Sequence, residues 1–367
     1  MPRIIDDSRF CFVKFVKIAA LKSRVAAGIP QINMVTIVNK IYRSFNGSLL
    51  ASMLLSVTLL SGCAVGMKVT VQDVTPSTAK YAIPASAAPV PLYFSDERTA
   101  ENKVAFINPF FGMSVTDSAE KPLEPVTWLS ANIIREMTAR GLPVQRATSA
   151  TGANTVVIKR LFIESRRVSG FSPFETFTSV SADVVTASGT QRIVAFIKRG
   201  KVPVWSFNEI YDPNYNQPLA LAAKEFSAKL ARILFDAKLS DAQVDAAIAK
   251  TSGATLDYRD VHELGFSNNV RAIPQLVKLS AHKDDEVLQG AISSLGMLRA
   301  TEQFDLLKKQ AENTKDDWED RATALKAIGD LGSTSALAYL KAERTRLEKL
   351  TDAESVRTKG LIGLYLD

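Results

Sequence analysis

Chemistry in this 367-residue chain would have to be built from few reactive side chains, because it holds only 2 His and 2 Cys. Neither His262 nor His282 has a second histidine or a cysteine at metal-ligand spacing. Cys11 and Cys63 cannot supply a disulfide framework or a four-cysteine zinc site. A Ser/His/Asp triad would need one of the two histidines as its base. No Gly-x-Ser-x-Gly elbow and no phosphate-binding Gly-x4-Gly-Lys-Ser/Thr loop accompanies them. Both histidines therefore read as surface or helix-end residues. Asp284-Asp285-Glu286 could hold a metal or exchange protons, but it falls at an expected helix start. Acidic groups there complement the positive end of the helix dipole, and Asp316-Asp317 takes the equivalent place further on. These residues imply no catalytic centre, no metal and no cofactor.

Cys63 has a different setting. Lys40 and Arg43 precede an apolar run from Leu49 to Leu60, which ends in Ser61-Gly62-Cys63. The run falls short of the roughly 20 residues a spanning helix needs. A basic stretch, a short apolar stretch and small residues before a cut make a secretory signal. Leu60-Ser61-Gly62-Cys63 resembles the lipobox of bacterial lipoproteins. The resemblance implies cleavage before Cys63 and a lipid carried on the sulfur and amine of that residue. Several acyl chains would anchor it stably, where one is marginal. Ala64 stands where Asp would imply retention in the inner membrane, so the resemblance implies the periplasmic face of the outer membrane. A signal beginning at Met1 would be too long, whereas Met34 starts a conventional one. Residues 1–33 are thus expected to be an extension outside the working protein, and 34–62 the signal peptide.

The formal charge of +7 follows the same division. Six of those charges belong to residues 1–63, where Arg3, Arg9, Lys14, Lys17, Lys22, Arg24, Lys40 and Arg43 face only Asp6 and Asp7. The rest is nearly neutral, so bulk charge gives no reason to invoke nucleic acid, and export would separate the protein from it. With 46% hydrophobic and 23% charged residues, the chain is not mostly disordered, and its length suits about two domains.

Two local clusters remain. Lys159, Arg160, Arg166, Arg167, Lys198, Arg199 and Lys201 lie in segments that read as strands, and would form a candidate anion-binding face for lipid phosphate or acidic glycan. Solvated strand faces and edge protection explain the same residues. Phe171, Phe174 and Phe177 surround Ser172-Pro173, with a similar group at Phe106, Phe110 and Phe111. They are candidate docking aromatics, with core packing as the competing role.

The elements that must position these residues change character along the chain. Residues 63–87 are rich in Ala, Ser, Thr, Pro and Val, and read as the lipidated cysteine and its tether, with a short strand at Lys68–Val71. Over 88–238 the pattern predicts strands at Val90–Phe94, Val104–Ile107, Pro143–Ala147, Thr155–Ile163, around Val180–Val184, at Ile193–Ile197 and, after a break at Gly200, at Val202–Phe207. A helix opens near Pro125, with Val126, Leu129, Ile133 and Met137 on one face, and ends before Gly141. Asp212–Pro218 reads as a loop, and a second helix follows with Leu219, Ala223, Phe226, Leu230 and Ile233 on one stripe. The fold class is α+β: a two-layer α/β sandwich on a mixed sheet. Its element order, the lipid anchor and the helix–Gly–strand turn at Gly141 resemble the YajG-like and transport-auxiliary-type lipoprotein domains.

After a linker over 239–254, residues 255–367 become helical and repetitive. Ala291-Ile292-Ser-Ser-Leu295-Gly296 aligns with Ala324-Leu325-Lys-Ala-Ile328-Gly329, and Gly265 and Gly363 mark flanking copies. This resembles HEAT-like repeats, helix pairs that stack because neither buries its apolar face alone. Glycine is expected to end each first helix at a sharp turn.

The combined expectation is a non-catalytic lipoprotein that holds an envelope protein partner. The alternatives are an auxiliary subunit of an envelope transport or assembly system that binds lipid or glycan, and a cell-wall hydrolase with an unrecognised site. Replacing Cys63 by Ser should abolish metabolic labelling with a fatty acid and leave the precursor uncut. Normal cleavage with continued membrane anchoring would exclude the lipobox reading.

Overall fold

The computed structural model describes residues 67–83, 88–99, 106–107, 113–167, 172–201, 203–206, 208–253, 256–315 and 317–367. The two N-terminal segments, Cys11, Leu60, Ser61, Gly62, Cys63, Phe110, Phe111 and Phe171 lie outside them.

Strands β1 (Met67–Thr70), β2 (Val90–Asp96), β3 (Phe106–Ile107) and β4 (Met113–Thr116) precede helix α1 (Pro125–Ala139). Then come β5 (Val144–Arg146), β6 (Asn154–Arg166), β7 (Phe174–Thr186) and β8 (Gly189–Lys201). The main sheet has the order β5-β2-β6-β7-β8, with β3 also pairing β6, while β1 and β4 form a small parallel pair. β2 is parallel to β5 and β6, whereas β6, β7 and β8 are antiparallel. The sheet is therefore mixed, as the sequence predicts.

Pro125 opens α1 because its missing N–H would lack a partner in the first turn anyway. Gly141, at φ +86°, turns the chain out of it. Leu129, Ile133 and Met137 are buried on the sheet. α1 and the longer α2 (Gln217–Phe235) cover one sheet face, on which Leu161, Ile163, Val180, Ala182, Ala195 and Ile197 are buried. Gly200 does not break β8, which runs through it to Lys201, and the described residues 203–206 form no strand. Asp212–Asn216, expected as a loop, is a π-helical turn continuous with α2. Asn214 explains this: its side-chain N–H bonds the Phe174 carbonyl at 2.7 Å and holds the turn against β7.

The repeats pair α4 (Tyr258–Phe266) with α5 (Ile273–Leu279), α6 (Asp285–Met297) with α7 (Phe304–Glu312), and α8 (Trp318–Leu331) with α9 (Thr334–Leu347). A last first-position helix, α10 (Ala353–Leu366), closes the stack. Asp284 caps α6 by accepting from the backbone N–H groups of Glu286 and Val287, and Asp257 and Asp352 cap α4 and α10. The acidic run at 284–286 thus has the helix-start place expected of it.

The two connecting segments also differ from expectation. Residues 239–254 contain helix α3 (Asp241–Lys250), started by a Ser240–Gln243 capping box. Residues 67–83 lie along the body: Val69, Val71, Val74 and Tyr81 are buried, and Ala82 bridges Lys238. Composition hid this, because small apolar residues suit a loose tether and a buried strap equally well.

The repeat glycines do not make turns. Gly265, Gly296 and Gly329 sit inside helices. A Cβ on Gly265 would lie 2.5 Å from Ser294 Oγ, one on Gly296 2.5 Å from Ala327 Cα, and one on Gly329 2.6 Å from the Tyr365 ring. Each glycine lets its helix touch the next first helix. Gly296→Ala should lower stability by about 1–2 kcal/mol, overpacking outweighing the better helix propensity. Gly360→Ala, with nothing within 4 Å, should raise it by about 0.5–1 kcal/mol. Urea unfolding midpoints of the two variants check both signs.

Candidate functional site

The seven basic residues do not share one face. Register places Arg160 opposite Ser181 and Lys198 opposite Phe177 on the side away from α1 and α2, while Arg199, opposite Thr176, points to the other side. Lys159 sits at the β-bulge between Ile158 and Arg160. Most are also engaged within the chain. Lys159 pairs with Glu97 at 2.7 Å, Lys198 with Glu175 at 3.8 Å and Arg199 with Glu286 at 2.5 Å. Arg160 donates to Ser179 Oγ and covers the Phe162 ring. Strand alternation, invisible in a list of basic residues, disperses the expected anion face.

Of the candidate docking aromatics, Phe174 and Phe177 are core. Phe174 is buried beside Tyr215, and Phe177 packs across the sheet from Phe196, with Trp318 edge-on to both. Phe162, Phe177, Phe196 and Trp318 floor a cleft of about 230 Å³ between the outer sheet face and α10, with Arg160, Arg357 and Leu361 in its walls.

His262 is not a surface residue. It lies buried between Tyr258 and Phe266, and its Nδ1 has no hydrogen-bond partner. Burial, reinforced by Lys326 and Arg199, pushes its pKa down to about 3. A cavity of about 20 Å³ beside it is also lined by Arg199, Glu286 and Ser293, which is room for one water.

Among the described residues, the junction between the α/β half and the repeats carries the largest concentration of buried charge. Lys229 and Glu225 on α2 meet Lys326 and Asp330 on α8, all within 4% exposure. Each ammonium has three close oxygen neighbours. Lys326 reaches Glu225 at 2.6 Å, Asp330 at 2.8 Å and Ser293 Oγ at 2.8 Å. Lys229 reaches Glu225 and Asp330 at 2.7 Å and the Val194 carbonyl of β8. Burial opposes the Lys326 charge, but Asp330 and Glu225 outweigh it and raise its pKa. Asp330 is held below the usual carboxylate range, its burial outweighed by the two lysines. The Tyr365 hydroxyl closes the nest 3.0 Å from Asp330.

A second nest ties in the strap. Arg140, at the end of α1, bonds Glu136 at 2.6 Å and Glu263 of α4 at 2.7 Å. Ser77 Oγ donates to Glu263, and its N–H donates to Glu136. Lys224 of α2 pairs with Glu263 at 3.2 Å. The Tyr81 hydroxyl donates to the Phe266 carbonyl, while its ring lies under Arg140. Sequence reasoning missed both nests. Glu225/Lys229 and Lys326/Asp330 look like ordinary surface pairs one turn apart. The available signal was Lys326, a lone charge among Ala324, Leu325, Ala327 and Ile328.

These arrangements hold halves together. Among the described residues no group of three or more His, Cys, Asp or Glu could hold a metal ion, and no helix is long and apolar enough to cross a membrane. The family model for HEAT repeats matches residues 273–348, from α5 into the end of α9. The crystal structure of protein XCC0632 from Xanthomonas campestris, of family DUF330, matches 50% of this chain and 99% of its own at 15% identity, with a TM-score of 0.30. No curated protein matches.

His262 makes stability depend on pH. The unfolded chain takes up a proton near pH 6.5, but the folded site does so only near 3. Stability is complete above 6.5 and falls as pH falls below it, by about 1.4 kcal/mol per unit. Lowering pH from 7.5 to 5.5 should therefore cost about 1.4 kcal/mol through this residue. Chemical denaturation of wild type and His262→Gln at both pH values should show that difference only in the wild type.

Proposed function

We propose that this chain is a non-catalytic lipoprotein of the outer membrane that holds a partner protein on the periplasmic face. The observation that carries the reading is the unequal use of the repeat helices. The first helices α4, α6, α8 and α10 are committed to the chain's own α/β half, through Glu263, Glu286, Lys326 and the Leu364 carbonyl, which accepts from Arg192. In α7 only Leu307 is buried, and in α9 only Ala336, Leu340 and Leu347. α7 and α9 therefore leave most of their residues exposed or half-buried, the kind of surface through which stacked repeats hold partners. The α/β half is read as a YajG-like domain, and Cys63 as the lipid attachment.

A second reading has its own support. The cleft floored by Phe162, Phe177, Phe196 and Trp318, with Arg160 and Arg357 at its walls, suits a lipid or glycan handled by a transport-auxiliary lipoprotein.

Photo-crosslinkers placed at exposed Lys309 and Lys341, on the second helices, should yield one discrete protein adduct in intact cells. Charge reversal at the neighbouring position of that pair should weaken it. A crosslinker at Lys121, on the α/β half, should not yield it. Absence of an adduct at 309 and 341, together with a lipid or glycan co-purifying with wild type but not with Trp318→Ala, would replace the scaffold reading with the second one.

A further inference from the structure

Trp205 is 83% exposed, far beyond the other exposed large apolar residues among those described: Val270 at 66%, Val356 at 52%, Leu350 at 41% and Val185 at 40%. Tryptophan combines the largest apolar side chain with a ring N–H, and such rings settle where apolar and wet surroundings meet. The described residues 203–206, Pro203 to Ser206, contain no acidic group, and the nearest acidic side chain along the chain, Glu209, accepts from the Ser206 hydroxyl at 3.1 Å.

Its place in the fold decides what covers it. Trp205 follows the C-terminal end of β8, where Lys201 pairs with Phe174. β8 runs in the same direction as β6, because both are antiparallel to β7. This is therefore the end of the sheet at which β6 finishes. α1 connects β2 to the parallel strand β5, so it must run back from that end. The strap keeps step with α1: Trp128 donates to the Gln72 carbonyl, Asn132 accepts from Val74 N–H, Glu136 accepts from Ser77 N–H, and Tyr81 N–H donates to the Arg140 carbonyl. Traced backwards, the strap passes the start of α1 and reaches β1 at the same end. Asn216, eleven positions after Trp205, binds Thr70 O and Gln72 N–H there.

Met67 is four positions from Cys63. A fully extended chain spans about 3.3–3.6 Å per residue, so acyl groups on Cys63 would keep Met67 within about 14 Å of the lipid surface. This step rests on the lipid-anchor reading above. We infer that the sheet end bearing Trp205 lies against the lipid leaflet that holds the Cys63 acyl chains, with the Trp205 ring in the headgroup layer. The repeat surface is then carried on a body whose orientation is set by two contacts, the acylated cysteine and the indole.

The test uses the full-length acylated protein in vesicles of phosphatidylethanolamine and phosphatidylglycerol doped with acyl-brominated phosphatidylcholine. Trp128 and Trp318 are the other tryptophans, and Trp205→Phe defines the Trp205 share of the emission. That share should fall at least twofold with brominated lipid, while Trp205→Phe still floats with the vesicles through its acyl groups. Acylated, vesicle-bound protein whose Trp205 emission is unquenched overturns the orientation and leaves the anchor standing. Protein without the acyl label overturns the anchor reading itself, and the orientation falls with it.

Discussion

Two lysines and two acids sealed between α2 and α8 constrain everything around them. Taking a charge out of water costs several kcal/mol, and only close pairing returns it. Lys229, Lys326, Glu225 and Asp330 are neutral as a set and satisfied only in one alignment of the two helices. If α8 slid along α2, charged groups would be left in a dry interface. The nest is a weak source of net stability compared with apolar packing, yet a strong selector of register. It also explains the edge of the sheet. Among the described residues β8 has no strand on its outer side, and an open edge invites unwanted pairing. Here Lys229 occupies the Val194 carbonyl of that edge, and α8 lies alongside.

The second nest does for the strap and α4 what the first does for α2 and α8. α2 contributes to both, through Lys224 in one and Glu225 and Lys229 in the other. The α/β half and the repeats are thus parts of one unit, Val65–Asp367. A repeat array is ordinarily held by neighbour contacts alone. In this chain the first helices have a second support, and α6 and α8 are buried over ten residues each. The second helices keep the polar, half-exposed character that their sequences show.

Much of this could be read from sequence where one physical signal dominates. The stripe Leu129–Ile133–Met137 with Pro125 before it and Gly141 after it leaves α1 little choice. The spacing of Gly265, Gly296 and Gly329 reveals the repeat, although its cause is close helix contact and not turning. What stayed hidden depends on partners distant in sequence. Arg140 meets Glu263 across 123 positions, and Lys229 meets Asp330 across 101. Local patterns assign such residues to solvent. Strand alternation misled in the other direction: Arg199 and Lys198 are neighbours in sequence and face opposite sides of the sheet. His262 looked peripheral because polarity was read without the Tyr258 and Phe266 rings that enclose it.

The strap has a mechanical side. Tension applied to the chain at Met67 would enter through β1 and be passed along Val71, fixed to β4, and then Val74, Ser77 and Tyr81, fixed to α1 or α4. Hydrogen bonds spread along a segment and pulled along its length share the load, whereas a hairpin pulled at its end releases them one by one. The parallel pairing of β1 with β4 continues that arrangement to the point where the chain enters the body. Force reaching this protein from its N-terminal side would therefore be borne by the same Arg140–Glu263 contact that joins the two halves, and the joint would be loaded in shear.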